Sequence, residues 1–204
     1  MLSGFVTFEG VDGSGKTTVS RLVVESLRKN GNSVYMTSEP THTWLGDAVR
    51  RTYEDDVGPI TESFLFLADR AAHTPEIRAH LAKRELVVCD RYADSTFAYQ
   101  GARLQGIVRD PLRFLQRAGE DWLLMPDVTV LLKVPPALGL KRIAGRASHA
   151  RFENLAFLRK VATNYDRLAR ATRFVVIDGS REANVVAADA IAAIDRRLTK
   201  QRRP

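Results

Sequence analysis

The sequence contains very little cysteine and no long apolar segment. Cys89 is the single cysteine among 204 residues, which excludes an internal disulfide and is typical of a protein kept in a reducing compartment. Because it ends the apolar run 86–88, we expect a buried thiol without a chemical role. No apolar run approaches the ~20 residues that a membrane span needs, and the N-terminus lacks the pattern of a signal peptide. We therefore expect a cytoplasmic protein without a membrane partner.

Internal repeats, low-complexity tracts and linkers are also absent from the sequence. A chain of 204 residues, 45% of them hydrophobic, is long enough for one domain with a full core and short for two. We expect a single domain over residues 1–204. The formal net charge of +7 is a feature shared with nucleic-acid-binding proteins. Because the basic residues are spread along the chain until a short terminal run, we expect small polyanionic substrates and no nucleic acid.

Apolar runs alternate with segments of helical periodicity. The runs GFVTF, SVYMTS, LVVCD, VTVLLKV and FVVID predict five buried strands, which begin at Gly4, Ser33, Leu86, Val128 and Phe174. Continuously apolar strands separated by helices predict a parallel sheet covered on both faces, with ligands beyond the carboxyl ends of the strands. In the helical stretch from about Thr61, the pair Thr74-Pro75 resembles an N-cap followed by proline, so we expect the helix to break and restart there.

The stretch FEGVDGSGKTTV, from Phe8 to Val19, carries the spacing G-x-x-x-x-G-K-[ST] between a strand and an amphipathic helix. Such a loop lets backbone N–H groups approach phosphate oxygens, while its lysine reaches the β- and γ-phosphates and its threonine offers a hydroxyl to Mg²⁺. The sequence therefore predicts a three-layer α/β fold of the P-loop NTPase type. The predicted nucleotide-binding residues are Gly10, Val11, Asp12, Gly13, Ser14, Gly15, Lys16, Thr17 and Thr18.

Two positions inside this loop carry further information. Gly13 stands where a basic side chain would supply transition-state charge, so that charge must come from another segment. Asp12 is a carboxylate that points at Mg²⁺ or at the acceptor, or else caps the backbone of its own loop.

A second block, DRYADSTFAYQG, runs from Asp90 to Gly101 and begins at the end of the third strand. Asp90 is placed like a Walker-B acid near Mg²⁺, and Arg91 is placed to clamp a phosphate with its guanidinium. Ser95 and Tyr99 are four residues apart and share one face of the following helix.

An aromatic ring and a guanidinium also share a face upstream. In FLADR, Phe66 and Arg70 are four residues apart, so a ring that stacks a base and a fork that bonds its edge point the same way. Taken alone, such a pair is also compatible with an ordinary core and surface position.

The combination resembles the thymidylate kinase family. The carrying motifs are G-x-D-G-x-G-K-T, E-P after the second strand, F-x-x-D-R and D-R-Y-x-x-S-x-x-A-Y-Q-G, followed by GLKRIAGRASHARFE and NYDRLA downstream. The resemblance covers nearly the whole chain, and the D-R-Y to A-Y-Q-G block is much more specific than the P-loop. It implies a five-stranded parallel sheet of the P-loop kinase kind and a homodimer formed through helices. It also implies transfer of a phosphoryl group from ATP to dTMP with Mg²⁺, giving ADP and dTDP for dTTP synthesis.

The resemblance implies a role for each acceptor-site residue. The ring of Phe66 matches the one that stacks on thymine, Arg70 the guanidinium at the edge of the base, and Arg91 the group that holds the acceptor phosphate. Tyr99 matches a ring under C2′ that disfavours a ribose hydroxyl. The predicted dTMP-binding set is Asp12, Glu39, Phe66, Arg70, Arg91, Ser95, Thr96 and Tyr99, and the predicted metal ligands are Thr17 and Asp90.

A small, polar and basic segment, GRASHARFE, lies between two helical segments, and a loop that closes over ATP has this composition. We predict a lid at about residues 144–153. Together with Gly13, it resembles the family subtype in which arginines of the lid replace the one missing from the P-loop. Arg146 and Arg151 are the candidates, and Arg142 is expected against adenine. The predicted catalytic set is Lys16, Arg91, Arg146 and Arg151; no base is assigned, because a phosphate acceptor is already ionised.

One departure and two alternatives stay open. The family often has R-E-P after the second strand, whereas this chain has Ser38-Glu39-Pro40, and the sequence assigns no contact to Glu39. A deoxynucleoside kinase would need a base near the 5′-hydroxyl and no Arg91. A P-loop regulator or nucleic-acid-binding protein would agree with the pI of about 9.8 but would leave the F-x-x-D-R pocket unexplained.

Overall fold

A computed structural model of the chain describes residues 1–144 and 154–201. Within them, five strands form one sheet in the order β2-β3-β1-β4-β5. Every neighbouring pair is parallel. The five strands agree with the predicted runs to within one residue at either end, and the predicted five-stranded α/β fold is confirmed. The strands are β1 (Gly4–Glu9), β2 (Val34–Ser38), β3 (Leu86–Asp90), β4 (Val128–Lys133) and β5 (Phe174–Asp178).

Helices separate the strands and cover both faces of the sheet. Beside one face, α1 and α8 pack their apolar residues against Val6, Phe8 and Val130. Beside the other, residues of α3, α4, α5 and α7 form a second cluster with Phe5 and Leu131. Successive residues of β1 thus point to opposite cores, which explains why the strand is continuously apolar. The helices are α1 (Lys16–Lys29), α2 (Trp44–Arg51), α3 (Pro59–Ala82), α4 (Ala93–Arg103), α5 (Pro111–Gly119), α6 (Pro136–Ile143), α7 (Leu155–Leu168) and α8 (Ala183–Gln201).

The predicted break at Thr74-Pro75 is wrong, because α3 continues through it with Pro75 inside the helix. Leu67 and Ile77 are buried on the two sides of the proline, so packing holds the helix together across it. The hydroxyl of Thr74 donates to the carbonyl of Arg70 at 2.9 Å, which adds a hydrogen bond in the interrupted turn. Tertiary packing here outweighs the local cost of proline in a helix, which is about 3 kcal/mol.

The thiol of Cys89 is fully buried in the core, as expected. It donates to the carbonyl of Arg91 at 2.9 Å, and burial raises its pKa well above the ordinary value. Both observations agree with a structural thiol.

The carboxyl ends of the strands lie along one edge of the sheet. In the register between β1 and β3, Phe8 lies opposite Asp90, so the P-loop and the D-R-Y segment leave neighbouring strands side by side. In the described ranges, no helix has the length and apolar character that crossing a membrane requires.

Candidate functional site

The P-loop joins β1 to α1 through glycines in left-handed backbone conformations. Gly13 has φ 77° and Gly15 has φ 94°. No side chain caps the start of α1, so the N–H groups of its first turn face outward as an anion site. A β-carbon added at Gly13 would lie 2.1 Å from the carbonyl oxygen of Gly139 in α6, whereas at Gly15 it would meet nothing within 4 Å. Gly13 is therefore required by the close approach of α6, and an arginine there would displace that helix.

Lys16 is buried inside its own loop. Its Nζ donates to the carbonyl of Val11 at 2.9 Å and to the hydroxyl of Ser14 at 3.4 Å. Burial, with the nearby charge of Arg91, lowers the pKa of Lys16 to about 8. The hydrogen-bond partners of the Lys16 amine are thus neutral groups. A bound phosphate oxygen would replace them with a negatively charged partner.

The residues predicted to hold Mg²⁺ meet beside Lys16. The hydroxyl of Thr17 donates to Oδ2 of Asp90 at 2.5 Å. The other carboxylate oxygen, Oδ1 of Asp90, is buried without a hydrogen-bond partner among the described residues. Across that part of the chain, no group of three or more His, Cys, Asp or Glu residues is placed to hold a metal by itself. A hydroxyl and one carboxylate with an unused oxygen fit Mg²⁺, which takes few protein ligands and completes its shell with phosphate oxygens and water.

Arg91 leaves the end of β3 in a left-handed conformation, with φ 67°. Its guanidinium forms an ion pair with Asp12, donates to the hydroxyl of Ser95 at 3.1 Å and lies 5.3 Å from the ring centre of Tyr99. Burial opposes its charge, but Asp12 and neighbouring acidic groups raise the pKa of Arg91 well above its usual value. The carboxylate of Asp12 was expected to face Mg²⁺, the acceptor or the backbone of its own loop. In the structure it forms an ion pair with Arg91.

Tyr99 lies between the P-loop and α7. Its hydroxyl accepts the N–H of Asp12 at 2.9 Å, and its ring packs edge-on against Phe157 at 6.1 Å. As predicted from their spacing, Ser95 and Tyr99 share a face of α4, and both contact Arg91.

Arg70, on α3, is 1% exposed, and its guanidinium lies in a second cluster of polar side chains. Its Nη2 donates to Oε2 of Glu39 at 2.6 Å and to the hydroxyl of Thr96 at 2.9 Å. Its Nε and Nη1 are buried without a partner within the described ranges. Phe66 lies one turn earlier on α3, half-buried, with the ring of Tyr53 tilted against it at 6.5 Å. A ring beside two unused donors is an arrangement that binds a flat ligand with acceptors on its edge.

Glu39 uses both carboxylate oxygens. Oε2 accepts from Arg70, while Oε1 lies 3.0 Å from Nδ1 of His73, whose Nε2 lies 2.8 Å from the hydroxyl of Thr37. The sequence placed Glu39 in the predicted dTMP-binding set but assigned it no particular contact. In the structure, Glu39 is the hydrogen-bond and ion-pair partner of Arg70.

Comparison with known proteins agrees with this geometry. The sequence model of a family described as "Thymidylate kinase" matches residues 8–190. A probable thymidylate kinase of Methanococcoides burtonii is 37% identical over 197 residues, covering 95% of this chain and 97% of its own. One from Methanoculleus marisnigri is 44% identical over 176 residues, or 85% of each chain. A third, from Halobacterium salinarum, is 42% identical over 194 residues, covering 93% of this chain and 94% of its own.

The chain belongs to the thymidylate kinase family. The matched range includes the P-loop, the D-R-Y block and Arg70 with its partners Glu39 and Thr96.

Of the predicted lid, at about residues 144–153, only residue 144 is among the described residues. Arg142 in α6 donates to the carbonyls of Gly179 at 2.9 Å and Ser180 at 3.1 Å, and lies 3.4 Å from that of Gly13. It thus joins the P-loop to the turn after β5, on the nucleotide side. Arg146 and Arg151 lie outside the described residues.

Sequence reasoning missed several groups that build this thymidylate kinase site. Glu9 ends β1 with a fully buried carboxylate, and His73 holds Glu39. Tyr53 lies near Asp12 and Arg91, and burial raises its pKa to about 12. The position of Glu9 directly before the P-loop is the one signal that points to it; His73 and Tyr53 carry no local pattern.

Proposed function

We propose that the protein phosphorylates dTMP with ATP, giving dTDP and ADP for dTTP synthesis. The observation that carries the proposal is the pair on α3, where Phe66 offers a ring and Arg70, one turn later, has two buried donors without partners among the described residues. Thymine presents a flat face and carbonyl oxygens on its edge, which are the complement of those groups. The relatives, which are named as probable thymidylate kinases, agree with this substrate.

Phosphoryl transfer depends on alignment of the two substrates and on stabilisation of charge. In the proposed reaction, the P-loop amides and Lys16 bind the β- and γ-phosphates, and Arg91 holds the phosphate of dTMP. Thr17 and Asp90 would hold Mg²⁺, which when bound neutralises charge on the phosphates. The attacking oxygen belongs to an ionised phosphate, so no side chain is needed as a base.

The acceptor sugar lies between the two arginines in this proposal. Tyr99, which contacts Asp12 and Arg91, is the ring proposed to pack under C2′. Thr96, which accepts from Arg70, supplies a hydroxyl on the side of the base, whereas Ser95 acts on the phosphate side through Arg91. Asp12, paired with Arg91, is the carboxylate proposed for the 3′-hydroxyl or the metal shell.

We also propose the lid-arginine subtype. The contact of Gly13 with Gly139 supports it, because this packing leaves no room for an arginine in the P-loop. Arg146 and Arg151 then supply the positive charge over the phosphoryl group in transfer, and Arg142 lies beside the nucleotide.

A cytoplasmic homodimer built from a single domain completes the proposal. Two large apolar side chains are half exposed: Phe64 on α3 is 51% exposed and Ile107 after α4 is 51% exposed. The ring of Phe64 lies 6.3 Å from that of Phe114 on α5, so these two rings offer an apolar contact for a second copy.

The test is release of ADP from Mg-ATP, coupled to a spectroscopic assay, with a panel of acceptors. We expect dTMP to be the best substrate, dUMP to be weaker and thymidine to be inert. Turnover of thymidine without turnover of dTMP would favour a deoxynucleoside kinase. Salt-dependent retention of DNA on a filter, without any kinase activity, would favour a nucleic-acid-binding protein.

A further inference from the structure

Glu9 carries a buried carboxylate for which the proposed chemistry has no use. It is 0% exposed, at the end of β1. Its Oε1 accepts the backbone N–H of Tyr92 at 2.8 Å, and its Oε2 accepts the hydroxyls of Ser95 at 2.6 Å and Tyr165 at 2.9 Å. One carboxylate thus joins β1 to the start of α4 and to α7.

Two of these contacts lie directly next to Arg91. Its φ of 67° is a conformation that residues with a β-carbon rarely adopt, and the next peptide N–H, that of Tyr92, is the one Glu9 accepts. The hydroxyl of Ser95, which donates to Glu9, is also the acceptor for Nη1 of Arg91 at 3.1 Å. Glu9 therefore fixes both the backbone that follows Arg91 and the hydroxyl against which its guanidinium rests.

The charged form of Glu9 is disfavoured by its surroundings and depends on these hydrogen-bond donors. Burial, with the nearby negative charge of Asp94, raises the pKa of Glu9 to about 7, while Arg91 acts in the opposite direction. Asp94 is itself neutralised by Arg173, at 2.7 and 2.8 Å. A buried carboxylate is costly unless donors surround it, and three donors converge on this one.

We propose that Glu9 is a positioning residue that aims Arg91 at the phosphate of the acceptor. The inference rests on the proposed function, since it takes Arg91 as the group that holds this phosphate. The hydroxyl of Ser95 donates its hydrogen bond to Glu9, so its oxygen is turned to accept from the guanidinium of Arg91. Arg91 then keeps its direction when the phosphate competes for its ion pair with Asp12.

The substitution Glu9→Gln changes the hydrogen-bond pattern and keeps the shape. The amide oxygen can accept the N–H of Tyr92, because that backbone group has no other role. The amide nitrogen then faces Ser95 and Tyr165, whose hydroxyls must turn to accept from it. Ser95 then accepts from residue 9 with one lone pair and no longer donates to a carboxylate, so its oxygen becomes a weaker acceptor for Arg91.

The experiment compares ligands with and without the phosphate. Calorimetry measures the Kd of dTMP and of thymidine for the wild-type protein and for Glu9→Gln. In the variant we expect dTMP binding to weaken about tenfold and thymidine binding to stay within about twofold, because loss of one charge-assisted hydrogen bond affects the phosphate alone. Thr129→Val is the control. It removes a buried hydroxyl that bonds to Thr7, Asp94 and Arg173 and not to Arg91, so it should leave the ratio of the two Kd values unchanged.

Equal weakening of both ligands, or no change in either, would overturn the proposal. If Glu9→Gln does not fold, Ser95→Ala serves in its place, since it removes the hydroxyl that links Glu9 to Arg91. Ser95→Ala must show the same selective loss of dTMP binding, and an unchanged ratio would refute the link. A wild-type protein that binds thymidine as tightly as dTMP would refute the proposed function itself, which is a separate outcome.

Discussion

The acceptor end and the nucleotide end of the proposed site hold their charged groups differently. At the acceptor end, each arginine is paired with a carboxylate: Arg70 with Glu39 and Arg91 with Asp12. At the nucleotide end, Lys16 has the carbonyl of Val11 and the hydroxyl of Ser14 as hydrogen-bond partners. The pKa values follow this difference, since carboxylates raise those of both arginines while burial lowers that of Lys16 to about 8.

This difference indicates what each end does when substrates arrive. Paired side chains keep their geometry without a ligand, so the acceptor end is already arranged for dTMP. A buried lysine with neutral partners gains from a phosphate, so the nucleotide end completes its electrostatics only with ATP. The predictions that follow test the contrast, from the largest effect to the smallest.

Loss of the charge at the nucleotide end should have the largest effect. We expect Lys16→Met to lower kcat by about 10²–10³-fold, the scale for one transition-state donor. Lys29→Met, at the exposed end of the same helix, is the matched control and should leave kcat unchanged. Steady-state rates at saturating dTMP and ATP measure the effect. Near-normal turnover by Lys16→Met would show that Lys16 does not stabilise the transition state.

Loss of the stacking ring should affect the acceptor end alone. We expect Phe66→Ala to raise the KM for dTMP about tenfold or more, since stacking of a base on an aromatic ring contributes about 1–3 kcal/mol. The KM for ATP should stay nearly constant, because Phe66 lies on α3 and the P-loop begins α1. Equal increases in both KM values would indicate a folding defect in place of a lost base pocket.

A substitution near the sugar should change the ratio of activities on the deoxy and ribo acceptors. If Tyr99 packs under C2′, ribothymidine monophosphate is a poor substrate, and Tyr99→Ala should narrow the preference for the deoxy acceptor by about tenfold. Tyr99→Phe keeps the ring and removes the hydroxyl that accepts the N–H of Asp12, so it should keep the preference. The measurement is kcat/KM for both acceptors; the same ratio in all three proteins would place Tyr99 in the core.

Two glycines of the P-loop provide a matched pair. Both have positive φ, but only at Gly13 does a β-carbon strike a backbone oxygen, that of Gly139. We expect Gly15→Ala to cost about 1–2 kcal/mol of unfolding free energy from its left-handed backbone and Gly13→Ala to cost more. Denaturant titration of both variants measures the loss of unfolding free energy. Equal losses would show that α6 shifts to accommodate the added β-carbon.

The smallest effect is a pH dependence of nucleotide binding. Lys16 has a pKa of about 8 in the free protein, and bound phosphates favour its charged form. Binding should therefore be constant with pH below about 8 and weaken above it, by at most about tenfold per pH unit for one proton. Calorimetry at pH 8.5 in buffers of different ionisation enthalpy should show proton uptake, and its absence would mean that Lys16 is already charged.

Local pattern was enough to predict the sheet and the P-loop. The strands are continuously apolar because both faces of the sheet are covered, and the loop spacing is fixed by its contact with phosphate. The same local reasoning failed at Thr74-Pro75, since the pair resembles a helix start and only packing of Leu67 and Ile77 shows that α3 continues.

The site residues that belong to a local motif were predicted. Those that meet only through contacts between distant segments were missed. Spacing along single helices places Phe66 with Arg70 and Ser95 with Tyr99. The partners of those groups come from distant parts of the chain: Glu39 meets Arg70 across 31 residues, and Glu9 meets Tyr165 across 156. Such pairs depend on how strands and helices are arranged in space, which no local pattern reveals.

A crystal structure with dTMP and a non-hydrolysable ATP analogue would test the central contrast most directly. We predict thymine stacked on Phe66 with Arg70 still bonded to Glu39, and Arg91 on the acceptor phosphate while still bonded to Ser95. In the same structure, Nζ of Lys16 should have left the carbonyl of Val11 for a phosphate oxygen. An acceptor end in which Arg70 has left Glu39, beside a Lys16 that has kept its contacts, would contradict the account.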